Sequence, residues 1–261
     1  MRIRAAYAVV RGAALALAGL TAVAAGACRG GEDGSIGGGG LFRQYEYEEE
    51  VYLSLDGTAT VYVNASLAAL NALRGTTFAT APNAPLDRQA VRAVFSTPVT
   101  RVNGRISASR RSNRRFIHVK IDVDDIRRLG EAAPFAWSKY EFKHDGDLYV
   151  YRQTIGPAAM NDAGHAGWNG REIVAFRLHL PSTIRYHGDG GRETRGNILT
   201  WEQPLADRLR GTALALDARM DPESILYRTL WLFGWTCFAV AITFVLLIWW
   251  VRGRAPAERM A

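Results

Sequence analysis

Cysteine is almost missing from this chain of 261 residues: Cys28 and Cys237 are the only two. Lying so far apart, they exclude a disulfide framework and a paired-cysteine zinc site, and no disulfide is expected. Histidine is scarce as well. His118, His144, His165, His179 and His187 form no H-E-x-x-H pair, so no metal centre is expected. A G-x-S-x-G elbow is absent, and the segment Gly188–Gly191 lacks the strand–turn–helix spacing of a phosphate-binding loop, so it reads as a turn. Asp122, Asp124 and Asp125 stand at a helix start, where capping explains them better than a cation. No cofactor is expected, and a hydrolase would need a polar cleft that the sequence does not place.

Excess negative charge is also missing, since the formal net charge is +7. Its location decides what that means. Six of the 32 basic side chains and one of the 25 acidic ones lie at the two ends of the chain: Arg2, Arg4 and Arg11 at the start, and Arg252, Arg254, Glu258 and Arg259 at the finish. Everything between carries only about +2, which argues for topological signals and against a nucleic-acid partner.

What is present at the ends is apolar. A positive start followed by "AALALAGLTAVAAGA" up to residue 27 reads as a secretory signal, too short to be a clear membrane span. Gly26 and Ala27 before Cys28 resemble a bacterial lipobox, in which that cysteine is acylated. Ala25 with Ala27 also fits ordinary cleavage, and an uncleaved anchor is a third reading. Residues 28–40 form a glycine-rich tether, about 20 Å across as a flexible coil.

Near the other end, Leu230–Val251 holds no charge and is long enough to cross a hydrocarbon core of about 30 Å. Trp231 and Trp235 at one end, with Trp249 and Trp250 at the other, match the interfacial belts of a transmembrane helix. Asp221, Pro222 and Glu223 read as its N-cap, N1 proline and first-turn acid, which puts the helix at 222–251. The arginines of 252–261 then face the cytoplasm, with the C-terminus inside and the preceding domain on the periplasmic or extracellular side.

Residues 41–221 alternate with period 2 between Gly, Asp and Asn turns, which predicts an α+β domain: an antiparallel β-rich sheet with a few short helices. Val51, Leu53 and Leu55 are expected opposite Val63, Val61 and Ala59 around a turn at Asp56–Thr58. Ser66 to Gly75 and Leu86 to Ser96 read as helices, and Asp124 as the cap of a helical turn. Further hairpins are expected at 100–123 and across His144–Asp147, and strands at 172–181, 183–188, 197–204 and 212–219.

Leu180 and Pro181 close a strand, Ile184 follows, and Asn197, Leu199, Thr200 and Trp201 form an Asn-x-hydrophobic-Thr-Trp pattern. With Cys28, the early Asp-Gly hairpin and the C-terminal span, this resembles the LppM-type domain of bacterial membrane-anchored lipoproteins. The resemblance implies an extracytoplasmic α+β module on an anchor and carries no catalytic residues.

One segment remains unusual. From Arg88 to Ile121 there is no acidic residue, and Arg110, Arg111, Arg114 and Arg115 crowd one hairpin tip. Guanidinium forks there suit phosphate or carboxylate head groups of membrane lipids. Alternatively Glu46, Glu48 and Glu50, sharing one face of their strand, pair with those arginines. Tyr45, Tyr47, Tyr140, Phe142, Tyr149, Tyr151 and Trp168 either line a lipid cavity or fill a closed core. The expected function is non-enzymatic binding of a lipid or envelope partner. The competing expectation is an accessory subunit that meets a membrane-protein partner through Gly234, Thr236, Ala239 and Thr243.

Overall fold

The computed structural model describes residues 43–253 except 82, 165, 195 and 196. The expected signal, Cys28 with its tether, and the tail beyond residue 253 lie outside the described residues. The rest is α+β, as the alternation requires, but its strands form two sheets where one was expected.

The larger sheet runs in the order β10 (Arg192–Thr194), β11 (Ile198–Pro204), β8 (Glu172–His179), β1 (Gln44–Leu53), β2 (Ala59–Ser66), β5 (Arg114–Val123), β3 (Thr100–Val102), with β4 (Ser107–Arg111) also paired to β5. The smaller runs β6 (Ser138–Asp145), β7 (Leu148–Ile155), β12 (Leu214–Ser224), β9 (Ser182–His187). Every pairing is antiparallel except β1 with β8, which lie parallel. Parallel neighbours need a long crossover, and the chain between Leu53 and Glu172 supplies it by building six strands on the way.

Alternation sets which residues enter the core. Val61, Val63, Val119 and Ile121 are fully or almost fully buried on the face that β1 completes with Val51 and Leu53. The β1–β2 register, however, pairs Val51 with Val61 and Leu53 with Ala59, two residues from expectation. Leu55 belongs to the turn. Ser54 and Thr58 close it through their backbones, and Asp56 Oδ1 accepts the Thr58 amide at 2.9 Å. A slip of two keeps every side chain on its face.

Helix α1 (Leu67–Arg74) is capped as expected: Ser66 Oγ accepts the Ala69 amide, and Gly75 ends it at φ 72°. Seven of its residues are buried, so it is a core helix, packed against β5, β2 and β1. Helix α2 (Arg88–Phe95) is capped by Asp87 and buries Val91 and Phe95. The turn at Ile126–Glu131 is capped by Asp125 rather than Asp124, through the Arg127 amide. Helix α3 (Leu205–Leu209) then leads to β12.

The last helix, α4 (Ile225–Gly253), begins three residues later than expected. Asp221, Pro222 and Glu223 belong to β12, whose pairing with β9 breaks register between Met220 and Ser224. Proline is tolerated in that irregular stretch because no ladder hydrogen bond is required of it. Ser224 is the true cap, its Oγ accepting the Leu226 amide at 3.2 Å. No residue of α4 is buried, and it is long and apolar enough to cross a membrane.

Candidate functional site

Where β1 of the large sheet meets β6 and β7 of the small one, the core holds charge. Glu49 shares the inward face of Tyr47 and Val51, and its carboxylate is saturated. Oε2 accepts from Tyr47 Oη at 2.8 Å and from Arg74 Nη2 at 2.7 Å; Oε1 accepts from Tyr140 Oη at 3.1 Å and Gln153 Nε2 at 2.9 Å. The two charged side chains are 2% and 0% exposed. Burial pushes the hydroxyls of Tyr47, Tyr140 and Tyr151 well above the usual tyrosine range, and the Glu49 charge adds to the shift. All three therefore donate as neutral phenols.

Above Glu49, the Arg74 guanidinium carbon lies 3.5 Å from the Trp137 ring centre, and that of Arg208 lies 5.6 Å from the same ring. Arg208 is fully buried. It donates to the Gly156 carbonyl at 2.7 Å and to Gln203 Oε1 at 3.4 Å, without a carboxylate partner among the described residues. Burial, then the neighbouring Arg74 charge, lowers its pKa. Glu49 and this arginine–tryptophan stack are absent from the residues singled out by sequence. The available signal was parity: Glu49 lies two residues from Tyr47 and two from Val51, so it must face inward with them.

Of the aromatic residues considered together, Tyr47, Tyr140, Phe142 and Tyr151 are buried in the common core, with Tyr149 and Trp168 packed against it. Tyr45 points elsewhere, donating to Glu202 Oε1 at 2.6 Å. They do not line one concavity.

The arginine hairpin forms as expected, turning at Ser112 and Asn113 with φ of 47° and 60°, the left-handed pair of a two-residue hairpin turn. Its four arginines part company. Arg114 faces inward, pairing with Glu46 at 2.8 Å and donating to the Ala166 and Gly167 carbonyls at 3.2 and 2.9 Å. Trp168 Nε1 donates to the same Glu46, and Glu172 accepts the Asn169 and Gly170 amides. This clasp fixes the 166–171 segment against the sheet. Burial raises the Glu46 pKa, and hydrogen bonding from Ser66 and the Arg114 charge oppose it.

Arg110 and Arg115, by contrast, face each other across the hairpin, and Arg111 lies 4.1 Å over the Phe116 ring. Arg110 and Arg111 are exposed and Arg115 half-exposed. The three acids also divide. A bulge between Tyr45 and Tyr47 turns Glu46 inward, while Glu48 and Glu50 both pair with Arg177 of β8 at 2.6 and 2.9 Å.

Strand registers place this tip relative to α4. Ser224, just before α4, pairs with Ser182, beside the end of β8. At that end His179 opposes Tyr52, Leu53 opposes Ala59, and Ala59 opposes Val123, the last residue of β5. Arg114 begins β5 at its other end, nine residues away, about 30 Å at strand rise. The basic tip and the apolar helix therefore occupy opposite poles of the large sheet.

Within α4, Thr236 and Thr243 donate their hydroxyls to the Leu232 and Ala239 carbonyls, both at 2.8 Å. Those hydroxyls spend their donor inside the helix and keep acceptor lone pairs. Among the described residues no group of three or more His, Cys, Asp or Glu could hold a metal ion.

No protein-family model matches the chain, and no curated protein matches it. The NMR structure of the folded domain of Mycobacterium tuberculosis LppM is similar over 71% of this chain and 95% of that one, with 11% sequence identity and a TM-score of 0.40. This is a distant resemblance in backbone course.

Proposed function

We propose that the chain is a non-enzymatic, membrane-anchored envelope protein. In this reading α4 spans the bilayer with its C-terminus in the cytoplasm, and the β-rich domain stands on the opposite side. Cys28 carries a lipid that ties the other end of the domain to the same bilayer. Arg110, Arg111 and Arg115 present a basic surface to phosphate or carboxylate groups of an envelope partner; Arg114 serves the clasp instead.

The observation that carries this reading is the passage from β12 into α4. A helix of 29 residues without one buried side chain follows the last strand directly. Its start is pinned to the domain by the Ile225 amide on the Pro181 carbonyl at 3.0 Å. Such an apolar surface in water is untenable, and lipid resolves it.

Membrane extraction at alkaline pH tests both anchors. The full chain should stay with the membrane, and so should a chain ending at Ser224 or a Cys28→Ser variant, each held by the remaining anchor. Release of the Ser224-ending chain with Cys28 intact would refute the lipid anchor; release of the full chain would refute the whole reading.

A further inference from the structure

At the joint between the domain and α4 a groove of about 270 Å³ opens, lined by Thr183, Asp221, Glu223, Ile225, Arg228 and Leu232 among others. Several of its polar groups are already engaged. Asp221 Oδ1 accepts Arg185 Nε at 2.6 Å, the Ser224 hydroxyl is shared between the Pro181 carbonyl and the Leu226 amide, and Thr229 Oγ1 donates to the Ile225 carbonyl. Glu223 and Arg228 are exposed in the same groove, and neither forms an ion pair with the other or with another charged group among the described residues.

The order of these groups along the helix axis is informative. Glu223 and Asp221 stand above the helix start. Arg228 lies about 4.5 Å below Ile225 at helical rise, and Leu232 about 6 Å below Arg228. Trp231 and Trp235 bracket that depth, where an interfacial belt belongs. Descending from the domain, a lipid meets carboxylate, then guanidinium, then hydrocarbon wall.

We infer that this groove seats the head group of a zwitterionic aminophospholipid from the leaflet in which α4 is embedded. Such a lipid presents an outermost ammonium, a phosphate beneath it and acyl chains below, the same sequence of charges inverted in sign. Arg228 takes the phosphate, Glu223 takes the ammonium beside the Asp221–Arg185 pair, and the acyl chain lies along Leu232. An anionic lipid without an amine offers the phosphate but brings nothing to Glu223, which then repels it. The site rests on α4 spanning a bilayer.

The test uses the full chain in nanodiscs made from equal amounts of phosphatidylethanolamine and phosphatidylglycerol, followed by extraction into mild detergent and native mass spectrometry of retained lipid. Phosphatidylethanolamine should be retained at least several-fold over phosphatidylglycerol. Arg228→Gln should lower total retention, and Glu223→Gln should abolish the preference while leaving some phospholipid bound; both side chains are exposed, so folding should persist, checked by circular dichroism. Equal retention of the two lipids by the unaltered chain, or a preference unchanged in both variants, would overturn the site and leave the anchor intact. A chain that fails to enter nanodiscs would overturn the anchor itself.

Discussion

Replacing Glu49 by Gln keeps the shape of the buried side chain and removes its charge, which isolates what that charge does. In the folded domain Glu49 balances Arg74 at 2.7 Å, with both side chains almost wholly out of water. Arg208, whose pKa is lowered by burial and then by the neighbouring Arg74 charge, is also buried without a carboxylate partner among the described residues. Without Glu49 the core holds two cations stacked on Trp137 and no anion opposite them. The amide also offers one acceptor atom where four donors now converge, so both Tyr140 and Gln153 on one side, or both Arg74 and Tyr47 on the other, lose their acceptor.

Breaking a buried ion pair from one side costs about 3–5 kcal/mol, a large part of the ~5–15 kcal/mol that holds a typical domain together. For a domain of this size, ~1 kcal/mol moves the midpoint by about 2–4 °C, so a fall of about 6–20 °C is expected. Thermal unfolding followed by circular dichroism and tryptophan fluorescence reads it. The double variant Glu49→Gln with Arg74→Met should recover part of the loss, because the uncompensated cation is gone too. A single-variant loss below about 1 kcal/mol, or a double variant no better than the sum of the singles, would show that the two buried charges do not stabilise each other.

Two further outcomes follow from the same geometry. Arg114→Gln should lower the unfolding midpoint, since it opens the clasp with Glu46; Arg110, Arg111 and Arg115 changed together to Gln make a triple variant that leaves this clasp in place. The triple variant should instead weaken binding of the domain to anionic vesicles or polyphosphate, in a salt-sensitive way; unchanged, salt-independent binding would remove the hairpin from consideration. His179, half-buried and stacked on Tyr52 with ring centres 3.8 Å apart, has its pKa lowered by burial, and by the Arg177 charge against an opposing effect of Glu50. The folded state therefore takes up its proton less readily than the unfolded state, so stability falls as the pH drops below about 6.5. Denaturant midpoints at pH 7.5 and 5.5 should separate less in His179→Gln than in the unaltered chain, and an identical separation would refute that assignment.

Much of the agreement between sequence and fold is local. Ser66 and Gly75 cap α1 as expected because capping depends on a side chain and an amide three positions away at most. The hairpin at Ser112–Asn113 forms because two-residue loops demand left-handed backbone. Parity survives even where register does not: Leu55, apolar enough to extend the strand on paper, closes the turn instead, and the pairing slips by two without moving any side chain to the wrong face.

Other features depend on partners that are remote in sequence. Nothing near Glu49 announces that Tyr140 and Gln153 will come from another sheet to meet it. Arg114 and Arg115 are adjacent and chemically identical, yet a strand sends neighbours to opposite faces, and only Glu46 and the 166–167 carbonyls on one side give Arg114 a buried place. The N-cap expected at Asp221 failed similarly, because β12 runs on past Met220 until Ser224 pairs with Ser182 of β9.

By itself, then, the sequence determined an apolar helix long enough to span a bilayer, a β-rich domain before it, the faces of most strands and both caps of α1; each follows from periodicity, length or a contact within a few residues. Tertiary structure alone decided that β1 and β8 run parallel, that a glutamate and two arginines lie in the core, and that the basic hairpin stands at the pole away from α4. Those outcomes depend on which surfaces meet after the chain has crossed more than a hundred residues, and on the cost of leaving a buried charge without its partner.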